Sequence, residues 1–301
     1  MATNSKLIGE NQNLEKPYLR LTTFPRKEDV RPLSVLVRSL EHVKKRYKET
    51  EDFAWSNEQM KSIRQDITVQ GIRNQFVLQV YETHSRILLE HGDLNEFNQC
   101  QTMIRSLTEG ILEDDPSLLL QDDNGSGSGS PSKSPRKKKK RKRCKPLQQI
   151  PQAADEFGAY AILYALVQRS WMSLKMEMMR ILPQLATNAP ACRHAMAVVK
   201  SVEENNYRSF FTLYDQAPHM SVYLMDFLLK RIRTMAYDSI VTAFRPTIEV
   251  RQFQEWLGFL DGDEATGFLR ERGAVFVDDD NSKEPDILLL DCKACCQSAN
   301  A

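Results

Sequence analysis

Residues 56–89, SNEQMKSIRQDITVQGIRNQFVLQVYETHSRILL, decide the fold. Apolar side chains recur through this stretch at spacings that fit one face of an α-helix, and Gly71 interrupts them: Met60, Ile63, Ile67, Ile72, Phe76, Val80, Ile87 and Leu88. The pattern therefore predicts helices on both sides of Gly71. We interpret Ser56 and Gln59 as a capping box at the start of the first one, because together they can satisfy free backbone N–H groups.

Helical patterns extend to either side of this stretch. Residues 1–29 show no clear period and are predicted to form an arm. A helix over about 32–50 begins at Pro32, since a first-turn position tolerates a missing N–H. Gly92 is placed to end a helix, and Asp93 is placed to cap the next one. Beyond the middle of the chain, further helices are predicted near 155–169, 171–186, 191–205, 207–216 and 219–243.

The C-terminal part changes character. An amphipathic helix is predicted over 247–260, and Asp261 is placed to cap another. Two short strands, Val275–Val277 and Ile287–Leu289, then flank an acidic loop. This order of elements is that of a winged helix. Since the preceding helices are short and closely joined, we predict an all-α fold of stacked helical hairpins that ends in a winged helix with a small β-ribbon.

The segments predicted along the chain are an N-terminal arm (1–29), a first helical part (30–113), a disordered basic linker (114–152), a second helical part (153–243), a winged helix (244–291) and a tail (292–301).

Charge is distributed unevenly along the chain. Ten of its 41 basic residues lie in 131–145, which contains no acid, and this leaves 31 basic against 40 acidic residues elsewhere. Contact with nucleic acid is therefore expected from the basic run or from a local patch rather than from the acidic body. Met1–Gln12 lacks the apolar segment of a secretory signal, and Ala159–Val167 is too short to span a membrane. We expect an intracellular protein with reduced thiols.

Several stretches resemble the motifs of the Sac/GANP family, in the family's order. They are YLRLT (18–22), VRPLSVL (30–36), SIRQDITVQ (62–70), Val80–Leu89 with Tyr81, Glu82, His84 and Arg86, EFNQCQ (96–101) and FRP (244–246). The family consists of nuclear scaffolds in messenger-RNA export, transcription elongation and splicing, and their fold is PCI-like. The resemblance implies that the winged helix pairs with a second PCI-domain subunit, which carries a small acidic peptide of the Sem/Dss type. The chain looks closer to the short elongation and splicing branch than to the giant nuclear-pore scaffolds.

Two features depart from the family pattern. The linker 114–152 stands where the family has a short turn. The predicted wing is acidic, with Asp278, Asp279, Asp280, Glu284 and Asp286 against Lys283. An acidic wing is not suited to phosphates and fits a basic protein surface better.

The basic run is the strongest functional feature. Its core residues predict a nuclear-localisation signal or a nucleic-acid-binding segment: Arg136, Lys137, Lys138, Lys139, Lys140, Arg141, Lys142 and Arg143. Three arginines of the predicted winged helix, Arg251, Arg270 and Arg272, are a second candidate for contact with nucleic acid. The alternative for these three is a solvated helix face.

The family signature contains polar residues that we interpret as structural: Arg64, Asp66, Gln70, Glu82 and Arg86. Because Arg64 and Asp66 are two positions apart, they do not share a helix face and must each find another partner. Cys292, Cys295 and Cys296 lack the second ligand pair that a structural zinc site requires, so no metal is predicted. No motif for a cofactor or for catalysis is present, and we expect no enzyme.

The sequence thus predicts a nuclear scaffold of messenger-RNA processing, elongation or export that binds RNA through composite and basic surfaces. The alternative is a structural or regulatory subunit of a proteasome-lid or signalosome-like assembly without a nucleic-acid role. The basic run favours the scaffold, and the acidic body and acidic wing keep the alternative open.

Overall fold

The computed structural model describes residues 7–114, 152–185, 189–278 and 288–298. They fall into two compact units, unit 1 up to Gln148 and unit 2 from Gln149 onward. The interior of the predicted linker, with the basic run, and most of the acidic wing lie outside the described residues. Within the described part, no helix combines the length and the apolarity needed to cross a bilayer.

Unit 1 is built from helices that each pack against the next one along the chain. They are α1 (Leu33–Thr50), α2 (Phe53–Gln70), α3 (Gln75–Glu90) and α4 (Leu94–Asp114). Their connections are short, as expected for antiparallel hairpins. The apolar stripe that the sequence predicted fills the core between them, where Met60, Ile63, Ile67, Val80 and Leu88 are buried.

The start of α2 corrects a prediction. Asp52 is its N-cap, and the Asp52 carboxylate accepts a hydrogen bond from the backbone N–H of Trp55 at 3.1 Å. Ser56 and Gln59 are therefore inside the helix and form no capping box. A short carboxylate three residues before the free N–H suffices to start the helix earlier. Pro32, predicted in the first turn of α1, is instead its N-cap residue.

The other boundaries in unit 1 follow the predicted signals. Gly71 has φ of 60° and closes α2 with its N–H on the carbonyls of Ile67 and Thr68. Gly92 is left-handed as well, with φ of 70°. Asp93 caps α4 through its carboxylate, which accepts from the N–H of Glu96 at 3.1 Å.

From residue 7 the N-terminal arm has irregular structure as far as a short 3-10 helix, Lys27–Asp29. Its two limbs meet where the N–H of Glu10 donates to Lys27 O and that of Asn11 donates to Val30 O, at 2.9 and 3.0 Å. A Cβ on Gly9 would lie only 2.1 Å from Val30 O, so this crossing requires glycine. We call residues 11–30, whose ends are fastened together here, the arm loop.

Unit 2 is assembled around one central helix. Its helices are α5 (Gln152–Val167), α6 (Trp171–Leu185), α7 (Pro190–Glu203), α8 (Tyr207–Asp215) and α9 (Ser221–Ala243), all within three residues of the predicted bounds. Helix α5 packs against α6, α7 and α9 and, beyond the buried acids Asp155 and Glu156 near its start, is apolar on nearly all sides. Such a helix is stable only when it is enclosed by others.

Asp155 shows how α5 organises its neighbours. Its buried carboxylate accepts hydrogen bonds from the backbone N–H groups of Ala191 and Cys192, both at 2.9 Å. These groups belong to the first turn of α7, where N–H groups have no partner inside the helix. A carboxylate on one helix thus caps another.

The C-terminal part of unit 2 consists of β1 (Thr247–Glu249), α10 (Val250–Trp256), α11 (Gly262–Glu271), β2 (Phe276–Asp278), β3 (Leu288–Asp291) and α12 (Cys292–Ser298). The strands form an antiparallel sheet in the order β1-β3-β2, with Ile248 opposite Leu290 and Phe276 opposite the same residue. The prediction of an all-α fold of stacked hairpins ending in a winged helix is confirmed.

Two details of this part differ from the sequence-based expectation. Residues 247–249 form a third strand rather than the first turn of a helix, because a β-branched Thr-Ile pair after Pro246 pairs with β3. The predicted tail contains α12, which packs against α9 and β1 and buries Cys292 and Cys295. Small thiols behave as apolar side chains in such a contact.

Aromatic rings form the core of the winged helix. Phe253 is fully buried, and its ring stacks with those of Phe259 and Phe268 at centroid distances of 6.1 and 6.4 Å. Tyr237 of α9 meets the Phe253 ring edge-on at 6.3 Å. Helix α9 is therefore part of the winged-helix core.

Candidate functional site

The signature residue Asp66 lies at the centre of a buried ionic cluster in unit 1. Its two carboxylate oxygens accept from Arg31 Nε at 2.7 Å and from Lys16 Nζ at 2.6 Å. The side chain of Arg31 is 0% exposed. Burying an unpaired guanidinium would be very costly, so Asp66 is required wherever Arg31 is buried.

Arg31 uses its remaining side-chain donors on two other parts of unit 1. Its Nη1 donates to the carbonyl of Leu14 at 3.0 Å, and its Nη2 donates to the Ser62 hydroxyl at 2.9 Å. Lys16 Nζ also donates to the carbonyl of Asp29. The cluster therefore joins the arm, the entry to α1 and the middle of α2.

Three glutamines of α2 bind the backbone of the arm at separate points. Gln70 Oε1 accepts from the N–H of Gly9 at 3.2 Å, and Gln59 Oε1 accepts from that of Lys16 at 3.0 Å. Gln65 Nε2 donates to the carbonyl of Leu19 at 2.6 Å. The Gln70 amide also donates to the carbonyls of Arg31 and Asp66. We call Gln59, Gln65, Asp66 and Gln70, together with Arg31, the arm clamp.

Arg64 reaches a different side of α2. Its Nη1 donates to Glu96 of α4 at 2.6 Å and to His84 Nδ1 of α3 at 3.1 Å. The guanidinium also lies 5.2 Å from the centre of the Tyr81 ring. Arg64 therefore ties α2 to α3 and α4, whereas Asp66 ties α2 to the arm.

The partners of His84 determine its tautomer. An Arg64 Nη1 group can only donate, so Nδ1 accepts; Nε2 then donates to Asn57 Oδ1, 2.9 Å away. Burial, with the nearby Arg64 charge, holds the pKa of His84 well below its ordinary value. The imidazole is therefore neutral and fully engaged, which leaves no lone pair for a proton-transfer role.

Cys100 is near this imidazole but is not a reactive thiol. Its Sγ lies 3.8 Å from His84 Nδ1. Burial raises the pKa of the Cys100 thiol to about 11. A Cys–His pair that works in catalysis needs a thiolate, so the geometry fits a packing role. The other two signature residues, Glu82 and Arg86, lie half-buried on α3.

The winged-helix arginines are spread over its surface. Arg251 of α10 is highly exposed and pairs with Glu255 at 3.5 Å. Arg270 is exposed in the last turn of α11. Arg272 donates to the Thr234 hydroxyl, and its guanidinium lies 5.7 Å from the Phe268 ring centre.

The N-terminal turn of α11, the end that reads bases in many winged and helix-turn-helix domains, carries acids. Asp263 and Glu264 occupy it. Any contact of α11 with phosphates must therefore involve its C-terminal turn, where Arg270 lies.

Arg233 of α9, beside the winged helix, has a structural role. Its guanidinium donates to the carbonyls of Leu257 and Gly258 at 3.2 and 2.7 Å and pairs with Glu264 at 2.7 Å. It also lies 3.8 Å from the centre of the Phe259 ring. The side chain fastens the α10–α11 connection to α9.

The structure shows no metal-binding cluster of three or more His, Cys, Asp or Glu side chains among the residues it describes. The Cys295 thiol accepts a hydrogen bond from the N–H of Val275 at 3.2 Å and is buried. The basic run Arg136–Arg143 lies outside the described residues, so its role stays a prediction.

Sequence reasoning missed the roles of the clamp residues Arg31, Gln59 and Gln65 and of Lys16 in the arm. Arg31 stands inside VRPLSVL, and Lys16 stands just before YLRLT, so both were next to or within a recognised motif. The spacing of Arg64 and Asp66 indicated separate partners, but only the folded arm brings Arg31 and Lys16 to Asp66.

Comparison with known proteins identifies relatives along nearly the whole chain. The sequence model of the SAC3/GANP family matches residues 137–278. The chain is 37% identical to a leukocyte receptor cluster member 8 homologue of Xenopus laevis over 289 residues, 96% of this chain and 30% of that protein. It is 34% identical to a THP3 homologue of Schizosaccharomyces pombe, over 95% of this chain and 62% of the relative.

A third relative is SAC3 family protein A of Arabidopsis thaliana, which is 33% identical over 95% of this chain and 25% of its own length. The chain thus spans between a quarter and about three fifths of the relatives it matches. The matches to relatives include unit 1 with its arm clamp, whereas the family match starts in the basic run and ends in β2.

The first prediction concerns the buried ion pair. Asp66→Asn leaves Arg31 buried without a counter-charge, and we expect a loss of about 3–5 kcal/mol in the free energy of unfolding of unit 1. Hydrogen exchange of α2 peptides at increasing urea measures it. The control is Glu15→Gln, which weakens an exposed pair with His42 and Arg46 and should cost less than about 1 kcal/mol. Equal small losses in both variants would refute the central role of Asp66.

A second prediction follows from the lowered pKa of His84. The unfolded chain takes up a proton there near pH 6.5 and the folded chain does not. The free energy of unfolding of unit 1 should therefore fall below about pH 6.5, by up to about 1.4 kcal/mol per pH unit. His84→Gln should flatten this dependence between pH 6.5 and 5, whereas His91→Gln on the end of the same helix should keep it. An unchanged slope in His84→Gln would contradict the assignment.

Proposed function

The chain belongs to the SAC3/GANP family, and on that premise we propose that it is a non-enzymatic nuclear scaffold subunit. It acts within a multi-subunit complex of messenger-RNA processing, transcription elongation or export. Its mechanism is docking: one surface holds a protein partner and others hold RNA. The observation that carries this proposal is the winged helix at the end of stacked helices, which lies largely within the segment that matches the family.

The winged helix has two apolar features that suit a protein partner. Leu260, between α10 and α11, is 94% exposed. Strand β2 is an edge strand, and Val277 within it and Val275 just before it each expose about two fifths of their surface. Exposed apolar side chains beside an unpaired strand edge favour docking of another chain. We propose that the partner is a second PCI-domain subunit, which brings a small acidic peptide of the Sem/Dss type.

RNA contact has a different physical basis. The Arg136–Arg143 run supplies a dense positive charge in a chain that is otherwise acidic, and such a run binds phosphates in a salt-sensitive way. Arg270, exposed at the C-terminal end of α11, can add to a composite surface once a partner's winged helix lies beside it. The acidic N-terminal turn of α11 favours protein contact on that side.

Docking rather than chemistry is also supported by the polar cluster of unit 1. The carboxylates of Asp66 and Glu96 form ion pairs with Arg31 and Arg64, and the side chains of His84 and Cys100 are neutral and buried. Nothing in this arrangement activates a nucleophile or positions a general acid.

A third prediction tests nuclear import by the basic run. Deletion of residues 133–145 should move the chain, fused to tandem fluorescent proteins that prevent passive entry, from the nucleus to the cytoplasm. Deletion of residues 122–132 is the matched control, because it shortens the same linker without removing a basic residue. Fluorescence microscopy gives the nuclear fraction. Undiminished nuclear signal after the first deletion would remove the import role.

The fourth prediction tests the scaffold itself. The tagged full chain is recovered from nuclear extract with and without ribonuclease, and its companions are identified by mass spectrometry. A second PCI-domain protein and a small acidic peptide should survive ribonuclease, and RNA-processing or export factors should be lost. Leu260→Asp should release the PCI-domain partner, whereas Leu33→Asp, on the exposed face of α1, should not. Recovery of a proteasome-lid or signalosome set would favour the alternative function.

A further inference from the structure

The arm loop exposes apolar side chains in an unusual density. Within seven consecutive residues, Tyr18 is 44%, Leu19 61%, Leu21 44% and Phe24 74% exposed. Scattered single apolar residues are normal on a protein surface, but a contiguous group marks a site of interaction. Tyr18, Leu19 and Leu21 lie in the YLRLT motif, and Phe24 follows it. The arm clamp binds the backbone here but leaves these side chains exposed.

Within the same loop, the stretch from Lys16 to Lys27 is positively charged, and the acids Glu15, Glu28 and Asp29 flank it. Arg20, Arg26 and Lys27 are all exposed, and no carboxylate occurs between Lys16 and Lys27. None of these three cations is in an ion pair with any residue that the structure describes. The nearest acid before them, Glu15, is already engaged by His42 and Arg46. Three exposed cations without ion-pair partners among the described residues favour a polyanionic ligand. A protein surface that contacted mainly the apolar side chains would leave these cations unused.

The loop is held in place before any ligand binds. Its ends are fastened to each other, and its backbone is bound by Gln59 and Gln65 at Lys16 and Leu19. A surface that is already ordered loses less conformational freedom on binding. A cleft of about 490 Å³ lies beneath it, lined in part by Leu19, Phe24 and Gln65, and this volume is within the range of small-ligand pockets.

We propose that the arm loop is a binding surface for single-stranded RNA. Tyr18 and Phe24 stack with bases, and Arg20, Arg26 and Lys27 neutralise the phosphates between them. Exposed aromatic rings interleaved with cations are the arrangement by which proteins hold single strands with little sequence preference. This inference rests on the RNA binding of the proposed function and adds a surface in unit 1 that is separate from the basic run and from the winged helix.

The test uses the full chain and a fluorescein-labelled twelve-nucleotide oligouridylate, with anisotropy measured over a range of KCl concentrations. Tyr18→Ala/Phe24→Ala should weaken binding by about tenfold or more with the salt dependence retained. Arg20→Gln/Arg26→Gln should weaken binding and lower the slope of log K against log salt by about 1.4, since each phosphate contact on a single strand contributes about 0.7.

Two matched controls lie on exposed parts of unit 1 outside the loop. Leu33→Ala/Val37→Ala removes exposed apolar side chains from α1, and Arg38→Gln/Arg73→Gln removes two exposed cations. Both should bind the oligonucleotide within about twofold of wild type. Photo-crosslinking of the wild-type chain with a 4-thiouridine oligonucleotide, read by mass spectrometry, should place adducts on residues 18–27 and does not depend on any variant folding.

The outcomes separate this inference from the proposed function. If the wild-type chain binds no RNA, both the RNA role of the scaffold and the arm-loop surface are wrong. If deletion of residues 133–145 or Arg270→Glu weakens binding while the arm-loop variants do not, and no adduct lies in residues 18–27, only the arm-loop surface is wrong. Arm-loop variants that keep RNA affinity but lose a ribonuclease-resistant protein would show a protein-docking surface instead.

Discussion

The ion pair between Arg31 and Asp66 is the interaction on which unit 1 depends. Two charges removed from water stabilise a fold only if nearly all of their hydrogen-bonding capacity is used. Here Asp66 accepts from Arg31 and Lys16, while Arg31 also reaches Leu14 and Ser62. The pair thereby fixes the arm, the entry to α1 and the middle of α2 in one arrangement. Packing of apolar faces alone would bring the helices together but would not determine the path of the arm.

Both units use a carboxylate on one element to organise another. In unit 1, Asp66 of α2 holds the arm; in unit 2, Asp155 of α5 caps α7. In the winged helix a cation has the equivalent role, because Arg233 of α9 binds the backbone of the α10–α11 connection. The buried charges described here thus fix the positions of neighbouring elements, while the arm loop, the edge of β2 and Leu260 are exposed and are the surfaces that we propose for partners. That division suits a scaffold.

Most of the helical architecture follows from the sequence, because apolar periodicity and local signals such as Gly71, Asp93 and Asp261 act over a few residues. The failures have equally local causes. Asp52 outcompetes Ser56 as the N-cap of α2, and Thr247–Glu249 is a strand only because β3 lies beside it. The residues around Asp66 could not be assigned from sequence, since Lys16 lies 50 positions and Arg31 35 positions away. Spacing rules exclude partners on the same helix but do not identify distant ones.

The separation between Lys16 and Asp66 also bears on the order in which the chain is made. Ribosomes add roughly 5–20 residues per second, so the arm emerges about 3–10 s before the carboxylate that its cations require, given the 50 positions between them. During that interval Tyr18, Leu19, Leu21 and Phe24 belong to a chain whose clamp does not yet exist. The arm therefore takes its fixed path only after α2 has been synthesised, so that the ordering of the arm follows that of the helix that holds it.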